Sequence, residues 1–165
     1  MLKKKIYLET SLFNHYFDVR TQEFHDDTRA LFEACAVGIF EPYTSHFVIE
    51  ELEAAQPEKR NKMTSLIDQY NIKVLATSFE ADDLARRYIS EGALPGGSLL
   101  DASHIATASV NELDMIISLN FRHIVRGKTI ELTGKINTSL GYKIVEINSP
   151  KEALDYEKNR RSCLG

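Results

Sequence analysis

Short apolar runs alternate along the chain with stretches whose apolar positions recur every three or four residues. Ile6-Tyr7-Leu8 predicts a buried strand, followed by a short helix over residues 10–17. Ala30, Leu31, Ala34 and Cys35 have helical spacing and predict a helix over 28–37. A second strand over 39–44 leads into a helix over 47–55. Met63, Leu66, Ile67 and Tyr70 then form one stripe of a helix over 59–70. A third strand over 72–76 precedes a helix over 79–90, with Thr77 and Glu80 as its expected capping box. Beyond the turn Pro95-Gly96-Gly97-Ser98, the pattern predicts an alanine-rich helix over 99–110 and strands over 115–119 and 143–147. Pro150 opens a terminal helix. Residues 129–142, with Ile130, Leu132, Ile136 and Leu140 apolar, fit an added helix serving core packing, the neighbourhood of the site or a dimer edge.

Strands apolar on both faces, separated by helices, point to a parallel sheet covered on each side. The expected architecture is a three-layer α/β/α fold in one domain over 1–165, with a core at about 3–147 and a terminal helix over 150–160. The 165 residues, 43% hydrophobic and 27% charged, suit such a fold. No apolar run approaches the ~20 residues of a membrane helix. Cys35 and Cys163 lie far apart without a CxxC, so neither a disulfide framework nor a thiolate zinc site is indicated. A cytoplasmic protein is expected. The net charge of −4 leaves room for local basic patches, found at Lys3-Lys4-Lys5, at Arg122, His123, Arg126 and Lys128, and at Lys158, Arg160 and Arg161.

Open parallel sheets bind ligands outside the carboxyl ends of their strands. Glu9 ends the first strand there, directly before Thr10 and Ser11. Glu50 and Glu51 lie about one turn into the helix after the second strand. Asp101 opens the helix that runs back to strand 115–119, and Ser118 and Asn120 close that strand. Three segments thus bring carboxylates to one rim, the donor chemistry of a Mg²⁺ or Mn²⁺ site. Each residue also has a plainer reading. Asp101 sits at capping-box spacing from Ser98, Glu50 and Glu51 suit a solvated helix face, and Asn120 suits a turn. His104 and His123 read as packing or surface residues. Glu9 is the hardest to explain away, because a carboxylate ending a buried strand needs a partner.

Tyr7-Leu8-Glu9-Thr10-Ser11, Ser45-His46-Phe47-Val48-Ile49-Glu50-Glu51-Leu52, Asp101-Ala102-Ser103-His104-Ile105-Ala106-Thr107-Ala108 and Asp114-Met115-Ile116-Ile117-Ser118-Leu119-Asn120-Phe121 form an ordered set. Over about residues 3–147 that set resembles the PIN-domain family of metal-dependent ribonucleases, which includes the VapC-type toxins of toxin–antitoxin pairs. It resembles a subgroup with glutamate, Glu9, in place of the usual first aspartate and Asn120 in place of the usual last acid. The resemblance implies a PIN-like fold and a metal-dependent endoribonuclease that hydrolyses phosphodiesters of single-stranded RNA. Glu9, Glu51, Asp101 and Asn120 would be catalytic, and Glu9, Asp101 and Glu51 would ligate Mg²⁺ or Mn²⁺. Thr10, Ser11, Ser118, Arg122 and Arg126 would contact substrate. An antitoxin protein and a second copy of the chain are the implied protein partners. Tyr16, Phe17 and Phe121 could stack bases but are better read as core or rim packing.

The competing reading is a catalytically degenerate PIN-like module that binds RNA or a regulatory partner without turnover, Asn120 being the departure that favours it. A covalent aspartyl phosphohydrolase does not fit, because Glu9 is followed by Thr10-Ser11 rather than a paired aspartate. No GxGxxG follows the first strand, which argues against a dinucleotide-binding domain.

Overall fold

The computed structural model describes residues 2–165; Met1, the first residue of the expected domain, lies outside the described residues. Among the described residues, five parallel strands form one sheet: β1 (Lys4–Leu8), β2 (Phe40–Ser45), β3 (Lys73–Leu75), β4 (Met115–Ile117) and β5 (Glu146–Asn148). The helices are α1 (Thr10–His15), α2 (Gln22–Ala36), α3 (His46–Glu53), α4 (Pro57–Gln69), α5 (Phe79–Ser90), α6 (Leu99–Val110), α7 (Gly127–Leu140) and α8 (Pro150–Leu164). Helices cover both faces of the sheet, giving the expected three-layer α/β/α fold.

The sheet order is β3-β2-β1-β4-β5. β1 pairs with β2 through Ile6↔Pro42 and Tyr7↔Tyr43, and with β4 through Ile6↔Met115 and Leu8↔Ile117. Ile6, Tyr7 and Leu8 are fully buried, as a central strand of a doubly covered sheet requires. The chain leaves β1 toward β2 and later returns on the other side with β4. The crevice between the ends of β1 and β4 is therefore a topological switch point, where such sheets bind ligands.

The strand and helix order follows the apolar pattern, with local differences: α8 runs on to Leu164 instead of ending at residue 160, and β5 is displaced to Glu146–Asn148 from the expected 143–147. α2 begins at Gln22 rather than near residue 28, because its first turns hold onto α1: the His25 Nδ1–H donates to the His15 carbonyl at 3.1 Å. α5 is capped by Ser78, whose hydroxyl accepts from the Ala81 N–H, and not by Thr77. Strands β3, β4 and β5 are shorter than expected, three residues each. The segment expected over 129–142 is α7; Ile136 is buried in the core while Ile130 and Leu140 stay exposed. A buried polar cluster ties α5, α6 and α7 together. In it the Asn137 amide donates to Ser109 Oγ at 2.9 Å and to the Lys143 carbonyl, and the Tyr88 hydroxyl donates to Asn137 Oδ1. No helix among the described residues is long and apolar enough to cross a membrane.

Candidate active site

Glu9 follows the last residue of β1 and is 5% exposed. It is not left unpaired there. Its Oε2 accepts the Ser11 N–H at 2.9 Å and the Ser118 hydroxyl at 3.2 Å, so the acid both caps α1 and reaches the end of β4. Burial dominates its electrostatics and holds its pKa above the usual carboxylate range, against the nearby His104 and the Ser11 hydrogen bonds.

Ser118 carries the chain of contacts onward. Its hydroxyl also accepts the Asn120 N–H at 2.9 Å, while Ser11 Oγ accepts the Leu119 N–H at 2.9 Å. Asn120 then faces Asp101: its amide donates to Asp101 Oδ1 at 3.1 Å, and its carbonyl oxygen accepts the His123 N–H at 3.0 Å. The other Asp101 oxygen lies 2.9 Å from His123 Nδ1, with Ser98 Oγ 3.2 Å from the same nitrogen. Ser98 makes no side-chain cap to α6, so the helix-capping account of Asp101 falls away.

Glu51 is brought in from α3. Its Oε1 accepts the Thr10 hydroxyl at 2.7 Å and a hydrogen bond from His104 Nε2 at 2.8 Å. The far ring nitrogen of His104 lies 2.6 Å from the Tyr7 hydroxyl, which in turn lies 2.6 Å from Ser45 Oγ. Since the carboxylate only accepts, the His104 Nε2–H is the donor of the bond to Glu51. Burial pushes the Tyr7 phenol far up, which keeps it a neutral donor. Burial also works against ionised Glu51, but the His104 contact and the Thr10 hydroxyl outweigh it and hold its pKa below the usual range. Glu50, its neighbour, is exposed, as a solvated helix face predicts.

Ser118 and Asn120 thus link Glu9 to Asp101, and Glu51 is bonded to Thr10, the chain neighbour of Glu9, at the switch-point end of the sheet. A PIN domain family model matches residues 6–127, well over half of the chain and all of these acids. The chain belongs to the PIN domain family. PIN domains are generally nucleases, which places the chain among hydrolases at the level of the family. No curated protein matches the sequence. Among solved structures, a chain in the crystal structure of VapBC2 from Rickettsia felis bound to a DNA fragment from their promoter is similar in fold. Its TM-score is 0.53 at 9% identity, over 88% of this chain and 98% of that one.

The donors suit a hard divalent ion, being carboxylate oxygens with no sulfur among them. The arrangement is nonetheless closed on itself. Both Asp101 oxygens and one oxygen of Glu51 are engaged by hydrogen bonds, and among the described residues no three His, Cys, Asp or Glu gather as a metal cluster. Sequence reasoning found the acids and read His104 and His123 as packing or surface residues, without their contacts to Glu51 and Asp101; it gave no role to the Tyr7 and Ser45 hydroxyls behind His104.

The three basic patches separate cleanly. Lys3-Lys4-Lys5 lies at the amino end of β1, the opposite edge from the acids, and the Lys4 ammonium sits over the Tyr156 ring. Arg160 and Arg161 are turned onto the buried Glu157 of their own helix. The patch with Arg122 and Arg126 follows Asn120 directly in the chain, and Arg126 donates to the Arg122 carbonyl.

Proposed function

We propose that this PIN domain is an endoribonuclease that hydrolyses phosphodiesters of single-stranded RNA at the Glu9–Glu51–Asp101 rim, with Mg²⁺ or Mn²⁺ held by those three acids. The observation that carries the reading is that hydrogen bonds hold acids from three separate segments at one edge of the sheet: Glu9 is linked through Ser118 and Asn120 to Asp101, and Glu51 is bonded to Thr10, the residue next to Glu9 in the chain. Such an ion, when bound, supplies positive charge against the phosphate and makes a water more acidic.

The chain's own groups do the rest. Ser11 and Ser118 hold the Glu9 carboxylate in place, and Thr10 and His104 do the same for Glu51. The Asn120 amide donates to Asp101 and is suited to orienting water or a phosphate oxygen beside it. Arg122 and Arg126 draw the polyanion to a cleft whose own charge is negative. By likeness to the VapBC2 assembly, the chain is the toxin of a pair, and an antitoxin protein is its partner.

The contacts of Asn120 and His123 to both oxygens of Asp101 favour a second reading, an RNA-binding module without turnover. One experiment separates the two: cleavage of a labelled single-stranded RNA pool with Mg²⁺ or Mn²⁺, by the unaltered chain, by Asp101→Asn and with EDTA. Cutting that needs the metal and Asp101 supports the nuclease. Folded protein that binds RNA but cuts none under either metal gives the lead to the binding module.

A further inference from the structure

Phe121 follows Asn120 directly, yet 44% of its surface is exposed. The turn that presents it is tightly held. The Leu119 N–H is fixed by Ser11 Oγ, the Asn120 N–H by Ser118 Oγ, and the Ile124 and Val125 N–H groups both donate to the Asn120 carbonyl. Behind Phe121 lies Phe24 of α2, with ring centroids 5.7 Å apart and planes inclined by 31°. Phe24 is braced in turn by His15, whose ring meets it edge-on at 5.5 Å. Tyr16 is buried in the core, where it contacts Phe32 and Tyr70, so Phe121 differs from it although sequence gave the two the same reading.

We propose that Phe121, backed by Phe24, is a stacking platform for one unpaired nucleobase next to the phosphate addressed by the acids. The assignment rests on the nuclease reading above and names a subsite within it. An exposed aromatic ring on a rigid turn has already lost the freedom that binding would otherwise remove, and a base offers it a flat partner irrespective of sequence. Arg122 and Arg126 lie on one side of the ring in sequence, while Glu23 and Asp26 are exposed on α2 beside Phe24. The RNA backbone therefore runs on the arginine side, and the ring takes the base. A helical duplex keeps its bases stacked on each other, so this subsite selects for single strands.

The chain contains no tryptophan, which makes Phe121→Trp a single fluorescent reporter. It is placed in the Asp101→Asn background and titrated with a short single-stranded RNA and with an abasic oligomer of equal length, binding being followed separately by anisotropy of a label on the RNA. The RNA should quench the tryptophan while the abasic oligomer leaves it bright, and Phe121→Ala in the same background should bind RNA about tenfold more weakly. RNA that binds without quenching, or Phe121→Ala that binds as tightly as its parent, overturns the platform and leaves the ring to a protein partner or to packing. If the unaltered chain still cleaves RNA in that case, the nuclease stands without the subsite. If it neither binds nor cleaves, both readings fall.

Discussion

Two carboxylate–imidazole pairs flank the rim, Glu51 with His104 and Asp101 with His123, at 2.8 and 2.9 Å. His104 is 1% exposed, and behind it the Tyr7 and Ser45 hydroxyls continue the chain into the core. His123 is 27% exposed; Ser98 Oγ shares its Nδ1 with Asp101, and its backbone is held by the Asn120 side chain and by the Thr129 hydroxyl, which donates to its carbonyl at 2.6 Å. The same pair of functional groups is a fixed part of the core in one place and a replaceable contact in the other. A ligand arriving at the rim can displace His123 from Asp101 at the cost of a half-exposed hydrogen bond. Moving Glu51 breaks its bond to His104, whose further contacts to Tyr7 and Ser45 are buried. Under the proposed function both acids hold the ion; the difference is that Glu51 is tied through its imidazole to the core and Asp101 through its imidazole to a turn at the surface.

The largest test of this contrast is in stability. His104→Ala empties a buried ring site, takes one of two partners from the buried Tyr7 hydroxyl and one donor from Glu51, and should cost about 3 kcal/mol in urea unfolding. His123→Ala should cost about 0.5 kcal/mol, as for other half-exposed polar residues. Equal losses in the two variants would remove the distinction. Tyr7→Phe falls between them, at about 1–2 kcal/mol, since it deletes one hydroxyl from the relay and leaves the ring in place.

Glu9 and Glu51 set up a second contrast, in pH. The Glu9 pKa is raised by burial, so its contribution to stability is complete below the unfolded-state value and is lost as pH rises through the folded one. Glu51 has the opposite sign: its contribution is present above the unfolded value and is lost as pH falls through the depressed folded one. Glu9→Gln should therefore raise the melting temperature at neutral pH by about 2–4 °C, roughly 1 kcal/mol in a chain of this size. Glu51→Gln should lower it, and that deficit should shrink in acid. Under the proposed function both variants lose cleavage, so Glu9 would be a residue kept against the interest of stability. A Glu9→Gln protein that melts below its parent at neutral pH would show that the Ser11 and Ser118 contacts outweigh burial.

What could be read in advance was whatever repeats along the chain. The strand order, the α5 and α6 bounds and the placing of Glu9, Glu51 and Asp101 at one edge all follow from apolar period and from the geometry of parallel sheets. The start of α2 could not be read, because Gln22, Glu23, His25 and Asp26 offer no stripe and the turn is held by His25 reaching the His15 carbonyl. The partners of the histidines could not be read for a related reason. A histidine carries no local sign of its partner, and Glu51 lies 53 positions from His104 while Asp101 lies 22 from His123. Ser98 shows the converse error. Its spacing to Asp101 suggests a capping box, but both side chains turn to His123 instead. Local chemistry was legible where it was repeated, and ambiguous where one side chain had to choose between a near partner and a distant one.

The smallest predicted effect sharpens the contrast on the side of the substrate. Arg122 and Arg126 follow Asn120 and so belong to the Asp101–His123 side, whereas Lys3-Lys4-Lys5 lies at the other edge of the sheet and Arg161 is paired with Glu157. If the polyanion enters beside the replaceable pair, only the first two arginines neutralise phosphates. Each of Arg122→Ala and Arg126→Ala should then weaken RNA binding several-fold and reduce the slope of log affinity against log salt by about 0.7. Lys4→Ala and Arg161→Ala should leave the slope where it is. Measured by anisotropy over a salt series, in the Asp101→Asn background to prevent cleavage, the four variants form two classes. An equal change in all four would mean that RNA is held by the general field of the protein. The open Asp101–His123 side would then lose its claim to be the entrance.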